Sequence, residues 1–381
     1  MKPRVLFAHQ WNSTGGLYGS DKVLLDFLKY ATASIDPIVA IESEGAFAEI
    51  ARAIPSEVII LNMGVLRQKH MTPTGIAGCG LQALRSALWL SRYIRRHNIA
   101  AVVSNTVSVL AGAMSAKLSR KPHIWLIHEI LGGKARLLAP VVRQFSDRVI
   151  AVSQASAESV GVSDRIAIAY PGVNVVEFDK AAAAPLRKLN GLREETVLIG
   201  MIGRIHYWKG QDYFLDAVAE LKRRRVTDFA ALIIGDVYAG YEDLRQRLIA
   251  KAQALGVADS VIFCGHLNDL ASVYKALDIV VAPSTRADPF CLVVAEGMAA
   301  ARPVISTNWG GPKEIIEDGV SGILVPPSDP TIFADALQRF VREPALRRRV
   351  GEAGRRRIEC CFSRDSFNTR VLQSLKSVLN C

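Results

Sequence analysis

The sequence predicts an α/β protein built from two doubly wound parallel sheets in tandem. Short apolar, β-branched runs alternate with helical patterns from residue 4 to residue 170, and the alternation starts again at residue 197. With 381 residues, half of them hydrophobic, the chain is too long for one ordinary core. Two domains of roughly 150 to 200 residues each are therefore expected.

The predicted strands fall into two series. The first lies at residues 5–9, 38–41, 58–61, 101–104, 124–128, 149–152 and 166–169. The second lies at residues 197–202, 230–234, 261–263, 279–282, 304–306 and 323–325. A low-complexity break from Lys180 to Pro185 separates the series and indicates a linker. We therefore predict an N-terminal domain at residues 1–180 and a C-terminal domain at residues 181–360.

Cysteine usage and the N-terminal residues favour a cytosolic protein. None of the six cysteines lies in a C-x-x-C pair or a metal-binding spacing, and the adjacent Cys360 and Cys361 are untypical of a disulfide framework. Met1 to Arg4 lead straight into an apolar strand pattern, so we expect no signal peptide. No apolar run approaches the roughly 20 residues that span a bilayer.

The net charge of +11 is concentrated in the first half of the chain. Residues 1–180 carry 20 Lys and Arg against 13 Asp and Glu, whereas the remainder carries 27 against 23. Such a balance suits an anionic partner, such as nucleotide phosphates, anionic lipid headgroups or nucleic acid. Nucleic acid ranks last because no zinc-finger or RNP motif is present and the basic residues are not interleaved with aromatic ones.

Residues 81–94 form the pattern of a basic amphipathic helix, in which apolar residues such as Leu84, Leu88 and Ile94 alternate with arginines. A helix of this kind suits a membrane surface. A helix packed on a sheet needs the same apolar stripe, and this interpretation is favoured because strand 101–104 follows directly.

The stretch from Asp288 to Glu296 is the strongest candidate site. It follows strand 279–282, and its apolar spacing predicts a helix that starts near Cys291. Backbone N–H groups at a helix start have no internal partner, so a phosphate could bind the amides of Phe290, Cys291 and Leu292. The alternative is that Asp288 only caps the helix and Glu296 is a solvated helix residue.

A second candidate loop follows strand 197–202 and runs from Gly203 to Gly210. Arg204 can bind two phosphate oxygens through its guanidinium fork, and Lys209 adds a point charge, so the loop suits a diphosphate. The spacing is not that of a Walker A loop. The alternative, two exposed cations on a loop, is less favoured because ligands bind at this edge of a parallel sheet.

Two loops of the first half carry weaker signals. Residues 12–21 hold glycines before a helical run but lack the G-x-G-x-x-G spacing, so dinucleotide binding is weakly supported. Ser20 or Asp21 could simply cap that helix. His128, which ends strand 124–128, is either a structural residue or a group that hydrogen-bonds a polyhydroxy substrate or acts as an acid or base. All these loops follow strands and would line one cleft between the domains.

Taken in order, these motifs resemble retaining glycosyltransferase family 4, which has the GT-B fold of two Rossmann-like domains facing each other across a cleft. The resemblance spans about residues 197–330 and rests on Gly203-Arg204, Lys209-Gly210, Gly235-Asp236, Asp288-x7-Glu296 and Gly310-Gly311-x-x-Glu314. Within this fold we expect the C-terminal helix, residues 361–381, to pack back on the N-terminal domain.

The resemblance implies that a sugar is transferred from a UDP-, GDP-, dTDP- or ADP-sugar with retention of configuration, and that no cofactor or obligatory metal is needed. Arg204, Lys209 and the amides of Phe290, Cys291 and Leu292 would hold the diphosphate, with Gly235 and either Gly16 or Gly19 also at the donor. Glu296 would accept hydrogen bonds from the ribose, Asp288 would address the donor sugar, and His128 matches a histidine near that sugar.

Two stretches depart from the family pattern: the segment from Asp288 to Cys291, and the loop at residues 15–21, where the family usually has G-G-x-E before the first helix. Asp288 stands where glutamate is usual, and Pro289 and Cys291 stand where glycines are common. The leading prediction is a cytosolic, peripherally membrane-associated glycosyltransferase that extends a glycan or lipid-linked acceptor in cell-surface polysaccharide biosynthesis. The alternatives are a nucleotide-sugar epimerase of the same architecture and a catalytically weak protein that binds a glycan or a partner enzyme.

Overall fold

Two parallel sheets organise the chain, one in each of two units. The computed structural model describes residues 1–11, 17, 19–67, 70, 72–161, 163–237 and 241–379. The first unit is Met1–Tyr170 with Asp365–Cys381, and the second is Pro171–Arg364.

The first unit carries a seven-stranded sheet. Its strands are β1 (Arg4–His9), β2 (Asp36–Ile41), β3 (Glu57–Ile60), β4 (Ala101–Asn105), β5 (His123–Ile127), β6 (Arg148–Ala151) and β7 (Ile166–Ile168). Its helices are α1 (Gly19–Ala31), α2 (Ala46–Ala53), α3 (Pro73–Arg96), α4 (Leu110–Ser119), α5 (Ala139–Phe145) and α6 (Gln154–Val160), with a 3₁₀ helix at Gly133–Leu138. All pairings are parallel, in the order β3-β2-β1-β4-β5-β6-β7. The winding direction therefore reverses between β1 and β4.

The second unit carries a six-stranded parallel sheet. Its strands are β8 (Val197–Ile202), β9 (Phe229–Ile234), β10 (Val261–Gly265), β11 (Ile279–Ala282), β12 (Val304–Thr307) and β13 (Ile323–Val325). Its helices are α7 (Val175–Lys180), α8 (Leu186–Leu189), α9 (Gln211–Arg223), α10 (Glu242–Ala254), α11 (Leu270–Ala276), α12 (Leu292–Ala299), α13 (Pro312–Ile315), α14 (Pro330–Arg342) and α15 (Pro344–Cys361). The order β10-β9-β8-β11-β12-β13 reverses between β8 and β11.

The central strands are buried along their whole length, as parallel strands covered by helices on both faces must be. This holds for β4 and β5 in the first unit and for β8, β9 and β11 in the second. Their near-continuous apolar sequences are what made them predictable. The α/β prediction, two doubly wound parallel sheets, is confirmed, and all thirteen predicted strands are present with ends shifted by at most two residues.

The division between the units lies at Tyr170 and Pro171, ten residues before the expected boundary at residue 180. The backbone of Val173 bridges to that of Ser363, and the Phe178 ring lies 6.0 Å from the Tyr274 ring. These contacts place the residues between Pro171 and Lys180 in the second unit. The low-complexity break also lies there, because the Ala184 amide donates to the Ser272 carbonyl at 2.9 Å.

The last helix, α16 (Arg364–Leu379), belongs to the first unit from Asp365 onward. The Tyr30 hydroxyl lies 3.2 Å from the Thr369 hydroxyl, and the Arg370 guanidinium donates to the Ile168 carbonyl at 3.3 Å. Across the described ranges, we find no helix with both the length and the apolar content needed to cross a membrane.

Candidate functional site

The second sheet places two loops side by side at its point of reversal. One loop follows β8 and the other follows β11, and these strands are neighbours that both end at the same edge. The Thr285 amide of the second loop donates to the Trp208 carbonyl of the first at 2.8 Å. Ligands of doubly wound sheets bind in the crevice at such a reversal. The loops predicted from sequence are thus adjacent in the structure.

Lys209 and Asp288 form an ion pair across these two loops. The Lys209 Nζ lies 2.9 Å from Asp288 Oδ2, and the side chains are 23% and 9% exposed. Burial is the largest single influence and lowers the pKa of Lys209, but the charge and hydrogen bond of Asp288 together with the Cys291 thiol outweigh it, so the pKa is raised. The ammonium also lies 4.2 Å from the centroid of the Trp208 ring. Sequence reasoning assigned these two residues to different parts of a ligand, whereas the structure pairs them.

The other oxygen of Asp288 caps the turn that begins α12. The Cys291 amide donates to Asp288 Oδ1 at 2.8 Å, so this amide is satisfied within the loop. Helix α12 then starts at Leu292, as predicted. Cys291 has φ 65°, a left-handed conformation that glycine adopts at little cost. Burial raises the pKa of the Cys291 thiol to about 12.

Gly310 and Gly311 allow the loop after β12 to run against Asp288. The Gly311 amide donates to the Asp288 carbonyl at 2.7 Å. A Cβ on Gly311 would lie 2.5 Å from the Pro289 carbonyl oxygen and 2.6 Å from Phe290 Cα. A larger residue cannot occupy this position without moving the loop that holds Asp288.

Glu296 lies on α12 and is half-buried. The Tyr274 hydroxyl donates to its Oε2 at 2.7 Å, which orients the carboxylate. Tyr274 is fully buried, and burial followed by the charge of Glu296 raises its pKa well above the ordinary value. Tyr274 therefore remains a hydrogen-bond donor at any ordinary pH.

Arg204 lies on the loop after β8 and is exposed, and its carbonyl accepts from the Gln211 amide side chain at 2.9 Å. Sequence reasoning missed two neighbours, His206 and Arg286. Burial lowers the pKa of His206, and the charges of Arg204, Arg286 and Lys209 lower it further. The two loops together are thus cationic. The positive charges of Arg204, Lys209 and Arg286 in the sequence could have indicated this.

Gly235 directly follows β9 with φ 137°, and a Cβ there would lie 2.2 Å from the Gly203 carbonyl oxygen. Close backbone packing therefore accounts for this glycine without a ligand. A Cβ placed on Gly203, by contrast, would have no other atom within 4 Å. Gly203, rather than Gly235, has the open approach that a bound group needs.

In the first unit, four polar side chains form a hydrogen-bonded series at the point where the strand order of the sheet reverses. His9 ends β1, Asn105 ends β4, and His128 follows β5, so three neighbouring strands bring them together. His128 Nε2 lies 2.9 Å from Asn105 Oδ1, Asn105 Nδ2 lies 2.8 Å from His9 Nδ1, and His9 Nε2 lies 3.0 Å from Asp21 Oδ1. Asp21 is 2% exposed in the first turn of α1.

His128, at the end of this series, and the adjacent Glu129 have shifted pKa values. Burial, with a smaller contribution from His9, lowers the pKa of His128 to about 3, so its ring is neutral at neutral pH. Burial raises the pKa of Glu129 to about 7.

Of the two predicted loop glycines, Gly19 is the exposed first residue of α1, whereas Gly16 lies outside the described residues. In the part of the chain that the structure describes, no three His, Cys, Asp or Glu side chains come together as metal ligands.

Two family descriptions match the chain in succession. Glycosyltransferase Family 4 matches residues 19–177, and Glycosyl transferases group 1 matches residues 184–357. The D-inositol 3-phosphate glycosyltransferase of Frankia alni is 30% identical over 328 residues, which cover 82% of this chain and 78% of the relative. The enzyme of the same name from Salinispora arenicola is 28% identical, with 84% and 73% covered.

Solved structures share the fold over the whole chain. The Anabaena protein HepE in complex with UDP has a TM-score of 0.83 at 24% identity, covering 99% of this chain and 100% of that one. HepE with UDP-glucose gives 0.82 at 22% identity, with 98% and 99% covered. Sucrose-phosphate synthase from Thermosynechococcus elongatus gives 0.78 at 19% identity, with both chains fully covered. These likenesses confirm the predicted GT-B fold.

Proposed function

The chain belongs to glycosyltransferase family 4, and from that premise we propose that it is a cytosolic enzyme that moves a sugar from a nucleotide-sugar to a glycan or lipid-linked acceptor, with retention of configuration. The observation that carries the proposal is the cationic loop pair at the reversal of the second sheet, where Arg204, Lys209 and the start of α12 lie together. An oxyanion leaving group needs such a site.

In the proposed reaction the bond from the anomeric carbon to the diphosphate oxygen breaks and the nucleoside diphosphate leaves. The acceptor oxygen bonds to the same face of the sugar, and its proton leaves with the diphosphate. Arg204 and Lys209 stabilise the charge that develops on the diphosphate. Backbone N–H groups at the start of α12, at Phe290 and Leu292, contribute further donors to the diphosphate, whereas the Cys291 amide donates to Asp288.

The two acidic residues keep separate roles in this proposal. The carboxylate of Glu296, oriented by Tyr274, accepts hydrogen bonds from the ribose hydroxyls. Asp288 has both oxygens engaged, yet a carboxylate offers about four acceptor sites, so it can also accept from a hydroxyl of the donor sugar. No cofactor or metal is part of the proposal.

Donor binding tests the proposal directly. Because HepE is solved with UDP and UDP-glucose, uridine is the first base to test, followed by GDP-, dTDP- and ADP-sugars. A charged hydrogen bond contributes about 1.5–3 kcal/mol, so Arg204→Ala should weaken UDP binding by about 10- to 150-fold in calorimetry. Arg349→Ala, an exposed arginine on α15, is the matched control and should bind as the wild type does. A chain that binds none of these nucleotides would contradict the proposal.

The proposal includes peripheral binding to an anionic membrane through helix α3. The inner face of α3 is buried through Ala83, Ala87, Leu90 and Ile94, which accounts for the packing expected of a βαβ unit. Its outer face nevertheless carries further large apolar side chains that are 40–52% exposed: Leu81, Leu84, Leu88 and Trp89. Sheet packing explains the inner stripe alone.

The charge around this outer face favours an anionic lipid surface as the occupant. Between Glu57 and Glu129 the sequence has no Asp or Glu but nine Lys and Arg, four of them on α3. None of those four arginines forms a salt bridge with a described residue. Arg85, Arg92 and Arg96 lie beside the leucines at helical spacing, as in helices that lie in the membrane interface.

Vesicle sedimentation tests this surface. A cation near an anionic membrane contributes about 1 kcal/mol, so Arg85→Gln with Arg92→Gln should weaken binding to phosphatidylglycerol vesicles by roughly 30-fold. Leu84→Ser should weaken it as well, whereas Leu189→Ser, which alters a leucine exposed in the second unit, should not. Equal binding to neutral phosphatidylcholine vesicles would show that the arginines do not recognise an anionic surface. A dimer that Leu84→Ser dissociates would show that a second copy of the chain covers this face instead.

A further inference from the structure

The four polar side chains of the first unit form a hydrogen-bonded series whose direction follows from the placement of the Asn105 amide oxygen and nitrogen. A carboxylate oxygen accepts hydrogen bonds, so the N–H at His9 Nε2 donates to Asp21 Oδ1 at 3.0 Å. The amide nitrogen of Asn105 can only donate, so His9 Nδ1 accepts from Asn105 Nδ2 at 2.8 Å. The amide oxygen of Asn105 remains to accept from His128 Nε2 at 2.9 Å. Each link determines the orientation of the next.

We propose that Asp21 is a positioning residue that sets the tautomer of His128 through His9 and Asn105. The series holds the His128 proton on Nε2 and leaves Nδ1 as a hydrogen-bond acceptor. An acceptor at this ring position suits a sugar or acceptor hydroxyl, which arrives with a proton to donate. The last step, from His128 to substrate, rests on the proposed function. The positioning of His128 by Asp21 does not.

The surroundings favour a fixed series over a mobile one. Asp21 is 2% exposed, and His9 and Asn105 are completely buried, so no water can replace a broken link without opening the core. The His9 ring also packs against the Phe47 ring, with centroids 4.8 Å apart. Asp21 therefore does more than cap the first turn of α1, which was one interpretation of the sequence.

Histidine nitrogen shifts measure the tautomer without any turnover. In the full chain labelled with ¹⁵N-histidine, long-range proton–nitrogen correlations distinguish Nε2–H from Nδ1–H rings, and His128→Gln assigns the relevant signal. The proposal predicts a neutral Nε2–H ring at His128 in the wild type. A wild-type His128 that carries its proton on Nδ1 would overturn the proposal, and this result requires no variant to fold.

Asp21→Asn then tests the direction of the series. An amide can donate or accept, so His128 should lose its single tautomer and show a mixture. Ser20→Ala is the matched control, because the Ser20 hydroxyl also contacts the Asp21 carboxylate, at 3.4 Å, but lies outside the series. It should leave the His128 signal unchanged. An identical His128 tautomer in Asp21→Asn and the wild type would also overturn the proposal.

Kinetics separate positioning from a general structural effect. Asp21→Asn should lower kcat at least about tenfold with little change in donor KM, and should have no further effect in a His128→Ala background. An equal loss in that background would show that Asp21 does not act through His128. A changed tautomer together with full activity of His128→Ala would confirm the positioning but contradict the proposed contact between His128 and substrate.

Discussion

The Lys209–Asp288 pair gives the sharpest prediction about the candidate site. Lys209→Met removes the ammonium at nearly constant length, and Asp288→Asn removes the carboxylate charge while its Oδ1 can still accept from the Cys291 amide. Each single change leaves one largely buried charge without its partner 2.9 Å away. Breaking a fully buried pair costs about 3–5 kcal/mol. Because Lys209 is 23% exposed, we expect about 2–3 kcal/mol for each single variant.

The double variant should cost little more than either single one, because neither charge is then left alone. A double-mutant cycle from urea unfolding at pH 7 should therefore give a coupling free energy of about 2 kcal/mol. A coupling below about 0.5 kcal/mol would show that the two charges do not interact in solution. Lys209 would then have to be held by other groups, and the arrangement of the two loops would need to be revised.

Three further predictions concern burial and backbone strain. The pKa of Glu129 is about 7 in the fold against 4.5 unfolded, so wild-type stability falls as pH rises through this range. Glu129→Gln should thus be as much as about 3 kcal/mol more stable than the wild type at pH 8 and similar to it at pH 4, in denaturation at both pH values. An offset that does not change with pH would contradict this. Cys291 has φ 65°, so Cys291→Val should lose about 2 kcal/mol or more, whereas Cys291→Gly should stay within about 1 kcal/mol of the wild type. Equal unfolding free energies for these two variants would remove the strain argument. Gly311→Ala should lower the melting temperature and weaken UDP binding, because its Cβ would meet the loop that holds Asp288. Gly78→Ala, whose Cβ meets no atom within 4 Å, should do neither.

The strands and the site loops could be predicted because their signals are local. An apolar, β-branched run such as Ile279–Ala282 identifies a buried strand, and the parallel arrangement places the following loop at the ligand edge. Arg204, Lys209 and Glu296 were predicted as candidate residues in this way. Asp288 was also identified as a candidate from the sequence, although its ion-pair partner was not.

What could not be predicted depends on contacts between distant residues. Lys209 and Asp288 are 79 residues apart, and nothing in either loop indicates that the two charges meet. His9 and Asn105 look like ordinary strand ends, and only the strand order β1-β4-β5 brings them beside His128. The boundary at Tyr170 was missed for a similar reason, since the bridge between Val173 and Ser363 spans most of the second unit.

The configuration of the released sugar tests the central claim most directly. Incubation with an α-linked nucleotide-sugar, with and without acceptors, can be followed by proton NMR before the free sugar equilibrates. The account predicts that nucleoside diphosphate is released and that the first sugar formed, free or transferred, has the α configuration. A β-configured first product would contradict retention. A sugar that changes configuration while still attached to its nucleotide would instead identify an epimerase.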